Sequence, residues 1–473
     1  MEISKRLWVR WSLALFVFVC GTAVQAIELR VKKNADCTSG ATCCLRLAVA
    51  AANTPGTTSA QNSCVPAGQT STGNGDVIQL GDTNAKALTV TLGPIDISRT
   101  MTIRGNLNGA NPNNSTVKIT GSGSSVFRIP YGLASGIVAT FEYLRITGAT
   151  DLSAYGAAVS APYRPTSGHH KVSMDTVQLD NCTAWSGGAV YVDGILAIDG
   201  DQASGSSSSS IHDNKAAYGG AIYHTHTEEG YDGESDIAIR VNNTTFTKNY
   251  ADQNFGSGNG GAIYIASARA RISNSVFGGG SGLGNKAGCG ATCTGTGRGG
   301  AIYTDAFGST LFTHLINTTF SYNVASSGDV EQGGGGAIFA NTDLNLSSIN
   351  TFSNNTCSRV AGGTYSCRGG ALWNRLNGYI SIFDIASFTN NSATGTGSRG
   401  GAVYAVSEDS NTTSNAAFSN NTAANSCNLD APADAPNGYC GYPAGNGTLC
   451  PGNLMVNCQD NCNGPIANFC PPP

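Results

Sequence analysis

Short runs in which apolar and polar residues alternate recur along the chain, separated by turns rich in Gly, Asn and Ser. Ile237-Ala-Ile-Arg-Val241 and Ala270-Arg-Ile-Ser-Asn-Ser-Val-Phe277 are two of them. Alternation of this kind predicts strands with one buried face. One stretch breaks the pattern. Cys44 to Asn53 is rich in Ala and Leu and is the best helix candidate. At the start, Lys5, Arg6 and Arg10 flank the apolar run Ser12 to Val19, and Val24-Gln25-Ala26 follows. This order reads as a secretory signal with Ile27 as the first mature residue. No later stretch approaches the ~20 apolar residues of a membrane-spanning helix.

The alternating runs belong to a repeat. A Gly-Gly-Ala-aliphatic-aromatic unit occurs seven times, starting at Gly187, Gly219, Gly260, Gly299, Gly335, Gly369 and Gly400, with a degenerate copy at Gly156. The motif alanines (158, 189, 221, 262, 301, 337, 371, 402) lie 31 to 41 residues apart. A second unit interleaves, an apolar residue followed three positions later by Asn. It is seen at Ile211-Asn214, Phe246-Asn249, Phe320-Asn323, Phe352-Asn355, Phe388-Asn391 and Phe418-Asn421; Asn181 and Asn285 stand at the corresponding points with weaker flanks. Each repeat then holds two or three short strands. Such a unit cannot bury its own apolar face, whereas stacked units share one continuous core. A right-handed parallel β-helix with one coil per repeat is the architecture that fits.

The recurring residues have physical roles in a coil. The glycine pairs, with Gly188, Gly220, Gly261, Gly300, Gly336, Gly370 and Gly401 as second members, permit positive φ and close backbone approach at a corner. Asn214, Asn249, Asn323, Asn355, Asn391 and Asn421 tolerate the left-handed conformation and, repeated at one corner, would form a ladder. Tyr191, Tyr223, Tyr264, Tyr303, Phe339, Trp373 and Tyr404 would form an aromatic column. Alternation puts Ala and the aromatic on one face and the aliphatic on the other, leaving open which is inside. From each Asn to the next motif Ala the gaps are 8, 7, 13, 16, 14, 16 and 11 residues, so insertions gather on one edge, where solenoids place binding surface.

Composition narrows the class. Of 473 residues, 62 are Gly and only 12% are charged, with a net charge of -4. No basic surplus exists to neutralise phosphates, so nucleic acid is not an expected partner. Sixteen Cys in an exported chain imply disulfides. Cys37, Cys43, Cys44 and Cys64 cluster near the start, Cys289/Cys293 and Cys357/Cys367 are close pairs, and Cys427, Cys440, Cys450, Cys458, Cys462 and Cys470 crowd the end. Fifteen would remain after signal removal, which predicts one free or intermolecular thiol. Disulfide is favoured over zinc at Cys458-x3-Cys462, since no His lies near.

With seven copies in agreement, the repeats at Gly156 to Asn421 resemble those of chlamydial polymorphic outer-membrane proteins and related exported β-helix proteins. The resemblance implies a surface passenger or adhesin. The membrane-barrel strands of such proteins are not recognised here, so anchoring by a barrel is not expected. Near the start, Cys43, Leu45, Arg46, Ala48 and Asn53 are similar to the CSLREA-type segment of exported β-helix proteins, with Cys44 and Leu47 departing from it. A short helix there would cover the open first coil, stapled by the four nearby cysteines, and Leu88 to Ile103 reads as the first strands.

Candidate chemistry is sparse. Ser167-Gly-His-His170 faintly resembles one motif of polygalacturonases, and a solvated loop is the favoured reading. Glu228, Glu229, Asp232, Glu234 and Asp236 could hold Ca²⁺ as a cofactor; an exposed acidic loop is the simpler reading. His224 and His226 would share one strand face. Sequons at Asn181, Asn243, Asn317, Asn354, Asn390 and Asn420 follow from Asn-rich turns beside Ser and Thr. The expected organisation is a signal at 1–26, a cap with first strands at 27–105, repeats at 106–425 and a Cys-rich segment at 426–473. The expected function is a secreted or surface-exposed, non-enzymatic solenoid that binds a cell-surface or polysaccharide ligand. A polysaccharide lyase or glycoside hydrolase on the same scaffold is the alternative.

Overall fold

A computed structural model describes residues 26–430 except 33–36, 40–41, 81–85, 106–116, 122, 164, 166, 201–207, 226–236, 253–257, 289–294, 306–310, 328–332, 361–364, 376–379, 396–397, 406–414 and 424–428. The chain is a right-handed parallel β-helix. Its coils stack into four parallel sheets, of eleven, eleven, nine and eleven strands among the described residues. One full coil runs Ile195–Asp199, Ser209–His212, Lys215–Ala216 and Ile222–Thr225, then enters the next at Ile239–Asn242. These four strands belong to the first, second, third and fourth sheets in turn.

From Thr150–Tyr155 onward the coils are built with four strands, not the two or three expected, whereas the coils at 76–96 and 101–128 show three among the described residues. The apolar-x-x-Asn unit spans a corner that cuts it in two. Thr244–Thr247 ends the second-sheet strand, Lys248 turns with φ 52°, and after Asn249 the two-residue strand Tyr250–Ala251 forms the third sheet. A strand this short carries no alternation to read.

The core is built from columns of like residues. In the second sheet Phe246, Phe277, Phe320, Phe352, Phe388 and Phe418 are in register and stack face to face, 4.6 to 5.0 Å between centroids. Parallel strands lie ~4.8 Å apart, so identical rings in adjacent coils meet at stacking distance without adjustment. The fourth sheet adds Val190, Ile222, Ile263, Ile302, Ile338, Leu372 and Val403 from the opposite wall. The motif alanines join them inside. Ala189 and Val190 both point into the core, because the chain bends between Gly188 and Val190. Alternation had placed Ala with the aromatic; the corner overrides it. The aromatics face outward and form their own cluster.

The N-terminal end is closed as expected. Glu28–Val31 already pairs with Asp76–Leu80, ahead of the segment expected to begin the stack. The helix Leu45–Asn53 buries Leu45, Ala48, Val49, Ala51 and Ala52 against the first coils. Disulfides Cys37–Cys44 and Cys43–Cys64 staple it. Two residues of the CSLREA-like set fasten it by hydrogen bonds. The Arg46 guanidinium donates to the carbonyls of Pro94 (2.8 Å) and Gly93 (2.7 Å). Asn53 donates to Asp96 O and accepts from Ser98 N. Arg46→Ala removes two charge-assisted bonds and should cost about 2–3 kcal/mol of local stability. Limited proteolysis between residues 32 and 75 should accelerate accordingly; an unchanged cleavage rate would contradict this role.

Candidate functional site

The asparagine corner is structural. The Asn323 amide donates to Phe277 O (2.9 Å) and to Asn355 Oδ1 (3.0 Å), while its Oδ1 accepts from the backbone N–H (3.1 Å) and Nδ2 (3.0 Å) of Asn285. The same set repeats at Asn249, Asn285, Asn355 and Asn391; at Asn214 the Oδ1 accepts from Cys182 N in place of an asparagine, and Asn421, the last member among the described residues, donates to Phe388 O. All seven are 0 or 1% exposed. The left-handed residue is the one before the ladder position in six of the seven cases, Asn285 excepted: Asp213, Lys248, Tyr322, Asn354, Asn390 and Asn420 have φ of 52 to 58°. Asn181 is likewise a corner residue outside the ladder, and Cys182 takes the slot above Asn214. Burial pushes the Cys182 thiol up to about 12, so this free cysteine is an inert core residue.

The glycine pairs divide their labour. The first member turns with φ of 58 to 68° from Gly187 to Gly400. The second has no such φ; at Gly188, Gly220, Gly261, Gly300, Gly336 and Gly370 a Cβ would strike the carbonyl oxygen of its counterpart one coil on. Gly401 packs against the backbone of Thr422. The six sequon asparagines named above, though not every sequon of the chain, also share a geometry. All have φ of 46 to 55°, and the Ser or Thr two residues on lies in the following strand. Corner and strand start together write the sequon.

The described histidines of the two motifs pack into the coils. Ser167 and Gly168 are exposed, in keeping with a solvated loop, but His170 is buried and its Nδ1 accepts from Ile137 N. Burial, then the charge of His169, lowers the His170 pKa. His224 is also interior, bonded to Gly194 O at 2.8 Å. His226 and the Ca²⁺ candidates Glu228, Glu229, Asp232, Glu234 and Asp236 lie outside the described residues. So do Cys289, Cys293 and the cysteines beyond residue 426, whereas Cys357–Cys367 is bonded. Among the described residues no three His, Cys, Asp or Glu side chains group as metal ligands would. Asp180, a buried carboxylate, is held by Arg145, Thr147 and Asn181. Burial opposes its ionisation, but these bonds outweigh it and keep its pKa below the usual range.

The outer face of the fourth sheet has a different character. One register column runs Asp96, Arg128, Ser160, Tyr191, Tyr223, Tyr264, Tyr303, Phe339, Trp373, Tyr404, Asp430. Its seven aromatics span about 29 Å at one coil per ~4.8 Å. From Tyr191 to Trp373 successive centroids are 4.7 to 5.0 Å apart, and Tyr155 packs beside Tyr191 at 4.6 Å. Burial raises the Tyr191, Tyr223, Tyr264 and Tyr303 pKa values, with neighbouring Tyr or Asp305 adding to it. These hydroxyls stay neutral donors and acceptors.

Exposure along the column follows the connection that precedes each ring. Tyr191 and Tyr223, after gaps of 8 and 7 residues, are half-buried; the five later rings, after 11 to 16 residues, are at most 8% exposed. Those connections enter at one border of the sheet. Connections holding residues 226–236, 306–310, 376–379 and 406–414 leave from the other. Guanidiniums line this surface too. Arg298 lies 5.3 Å from the Phe339 centroid, and Arg368 lies 4.7 Å from Tyr404 and 5.9 Å from Trp373. The rings stand out in the repeat and these arginines do not, because only three of the seven motif copies carry Arg directly before the glycine pair.

Searches of curated proteins and of solved structures returned no match. Residues 243–266 and 317–341, each running from the corner before a second-sheet strand through a fourth-sheet strand, match the Chlamydia polymorphic membrane protein (Chlamydia_PMP) repeat, so these two stretches of the parallel β-helix are similar to repeats of that kind.

Proposed function

We propose that the protein is a surface-exposed, non-enzymatic ligand-binding solenoid, an adhesin in the broad sense, and that the outer face of its fourth sheet is the binding face. The observation that carries this reading is the coincidence on one sheet of four of the aromatic column and both rows of long connections. The likeness to polymorphic membrane protein repeats supports a location at the outer membrane or cell surface. Partly exposed tyrosines, fixed by stacking, give rigid contact area at little cost in side-chain freedom.

The test is retention of the protein on whole cells and on a panel of immobilised polysaccharides. Tyr191→Ala/Tyr223→Ala should weaken retention by about 10- to 100-fold, as expected for two hot-spot aromatics, with the thermal transition nearly unchanged. Undiminished retention would remove this face from the account. Release of soluble fragments from a polymer would replace the reading with a lyase or hydrolase.

A further inference from the structure

Resting on the reading of the fourth sheet as the binding face, we infer its ligand class: a linear polysaccharide bearing carboxylates, lying along the solenoid axis with its anionic groups on a row of arginines. Between residues 298 and 399 the chain contains five Lys or Arg residues, and all five are Arg. Every one stands at a border of the fourth sheet. Arg298, Arg368 and Arg399 immediately precede the glycine pairs and occupy one bridged position, with Gly334 between the first two. Arg359 closes the third-sheet strand Thr356–Arg359 at the same border. Arg375 follows the fourth-sheet strand Leu372–Asn374 at the other.

Stacked like charges one or two coils apart, ~5 and ~10 Å, repel one another. A chain with net charge -4 has carboxylates with which to neutralise them. Yet Arg368 binds the Tyr404 hydroxyl (2.8 Å) and two ring faces, with no carboxylate partner among the described residues. Its Nε is buried and has no partner there either. Arg375 also has no ion pair among the described residues; its charge is felt by Tyr303. Guanidiniums laid against rings are held in one orientation, and a fixed planar fork suits a planar carboxylate. Pre-ordering of this kind lowers the entropic cost of capture.

The geometry favours a glycan over other polyanions. Receptor and ligand would both be regular and linear, a sugar residue being about as long as one coil's rise. Further along the same column, Tyr191 and Tyr223 have their faces covered by stacked neighbours and present partly exposed ring edges, which sugar residues can contact. Nucleic acid fits poorly, because the cations form one narrow border and not a broad basic surface.

Retention of the full-length protein should be measured on polygalacturonate, its methyl ester, dextran and polyglutamate, at low and raised salt. The expected result is retention on polygalacturonate that weakens with salt and falls at least about 10-fold in Arg298→Gln/Arg368→Gln/Arg399→Gln. Arg375→Gln, which disturbs no ring contact, should lower it in the same direction with the fold intact. Equal retention on the methyl ester, or on polyglutamate, overturns the inference, as does indifference to the arginine substitutions. Loss of polygalacturonate binding alongside tyrosine-dependent retention on cells or dextran would sink this inference and leave the proposed function standing. Binding insensitive to both sets of substitutions would sink both.

Discussion

Asn323→Ala should cost the solenoid about 3–5 kcal/mol, read as a lower urea midpoint with a similar slope. The substitution strands three buried groups at once. The N–H and Nδ2 of Asn285 lose the acceptor they share, and Phe277 O loses its donor. Each orphaned group costs about 1–3 kcal/mol in a dry interior. The position is mid-stack, so the damage falls between coils that propagate stability to one another. Asn323→Asp separates hydrogen bonding from volume. The carboxylate still accepts from Asn285, but its second oxygen faces Phe277 O and Asn355 Oδ1, both acceptors. Burial raises such a carboxyl's pKa above its unfolded value. The protonated form is the compatible one, so the variant should be most stable below the unfolded pKa and lose stability as pH rises through the folded pKa. A loss below about 1 kcal/mol for Asn323→Ala would mean that the ladder is ornamental. Asn354→Gly is the matched control, since a corner at φ 55° accepts glycine without strain.

Gly300→Ala should be as damaging through sterics. Its Cβ would strike Gly336 O and lie 2.6 Å from Val324 N and 2.7 Å from Val324 C. All three are backbone atoms of the neighbouring coil, and none can swing aside as a side chain would. Overfilling usually costs about 1–3 kcal/mol where side chains can move; here about 3 kcal/mol or more is expected, because the coil spacing itself must give. Gly93→Ala is the contrast. Its φ is 83°, but nothing lies within 4 Å of an added Cβ. It should cost about 1–2 kcal/mol from conformation alone. Equal thermal shifts for the two variants would show that the second glycine of each pair serves backbone freedom and not close approach.

Much of this architecture is legible in the sequence because a solenoid writes the same physics once per coil. Seven glycine pairs and six apolar-x-x-Asn units suffice to identify the stack. Its columns of Phe and Tyr follow from register. What stays hidden has local causes. The third sheet is made mostly of strands two to four residues long, too short for periodicity. At Asn354-Asn355 and Asn390-Asn391 two identical residues have opposite roles, one turning the corner and one buried in the ladder, and residue type cannot separate them. Cys182 occupies a ladder slot with the wrong residue type, so the ladder's upper end drew attention to Asn181 instead. His170 and His224 look like surface chemistry until the coil turns them inward. Arg298, Arg368 and Arg399 share one motif position, directly before the glycine pair, but Ser186, Tyr218, Asn259 and Gly334 hold it in the other copies and mask the pattern.

Whether the outer face of the fourth sheet meets the ligand can be read by hydroxyl-radical footprinting. The protein would be probed free and while retained on cells or polygalacturonate. Protection is predicted at Tyr155, Tyr191 and Tyr223, with Ile349 and Phe383, exposed at the corner between the first and second sheets, labelled equally in both states. Protection of Ile349 and Phe383 with continued labelling of the three tyrosines would contradict contact at this face.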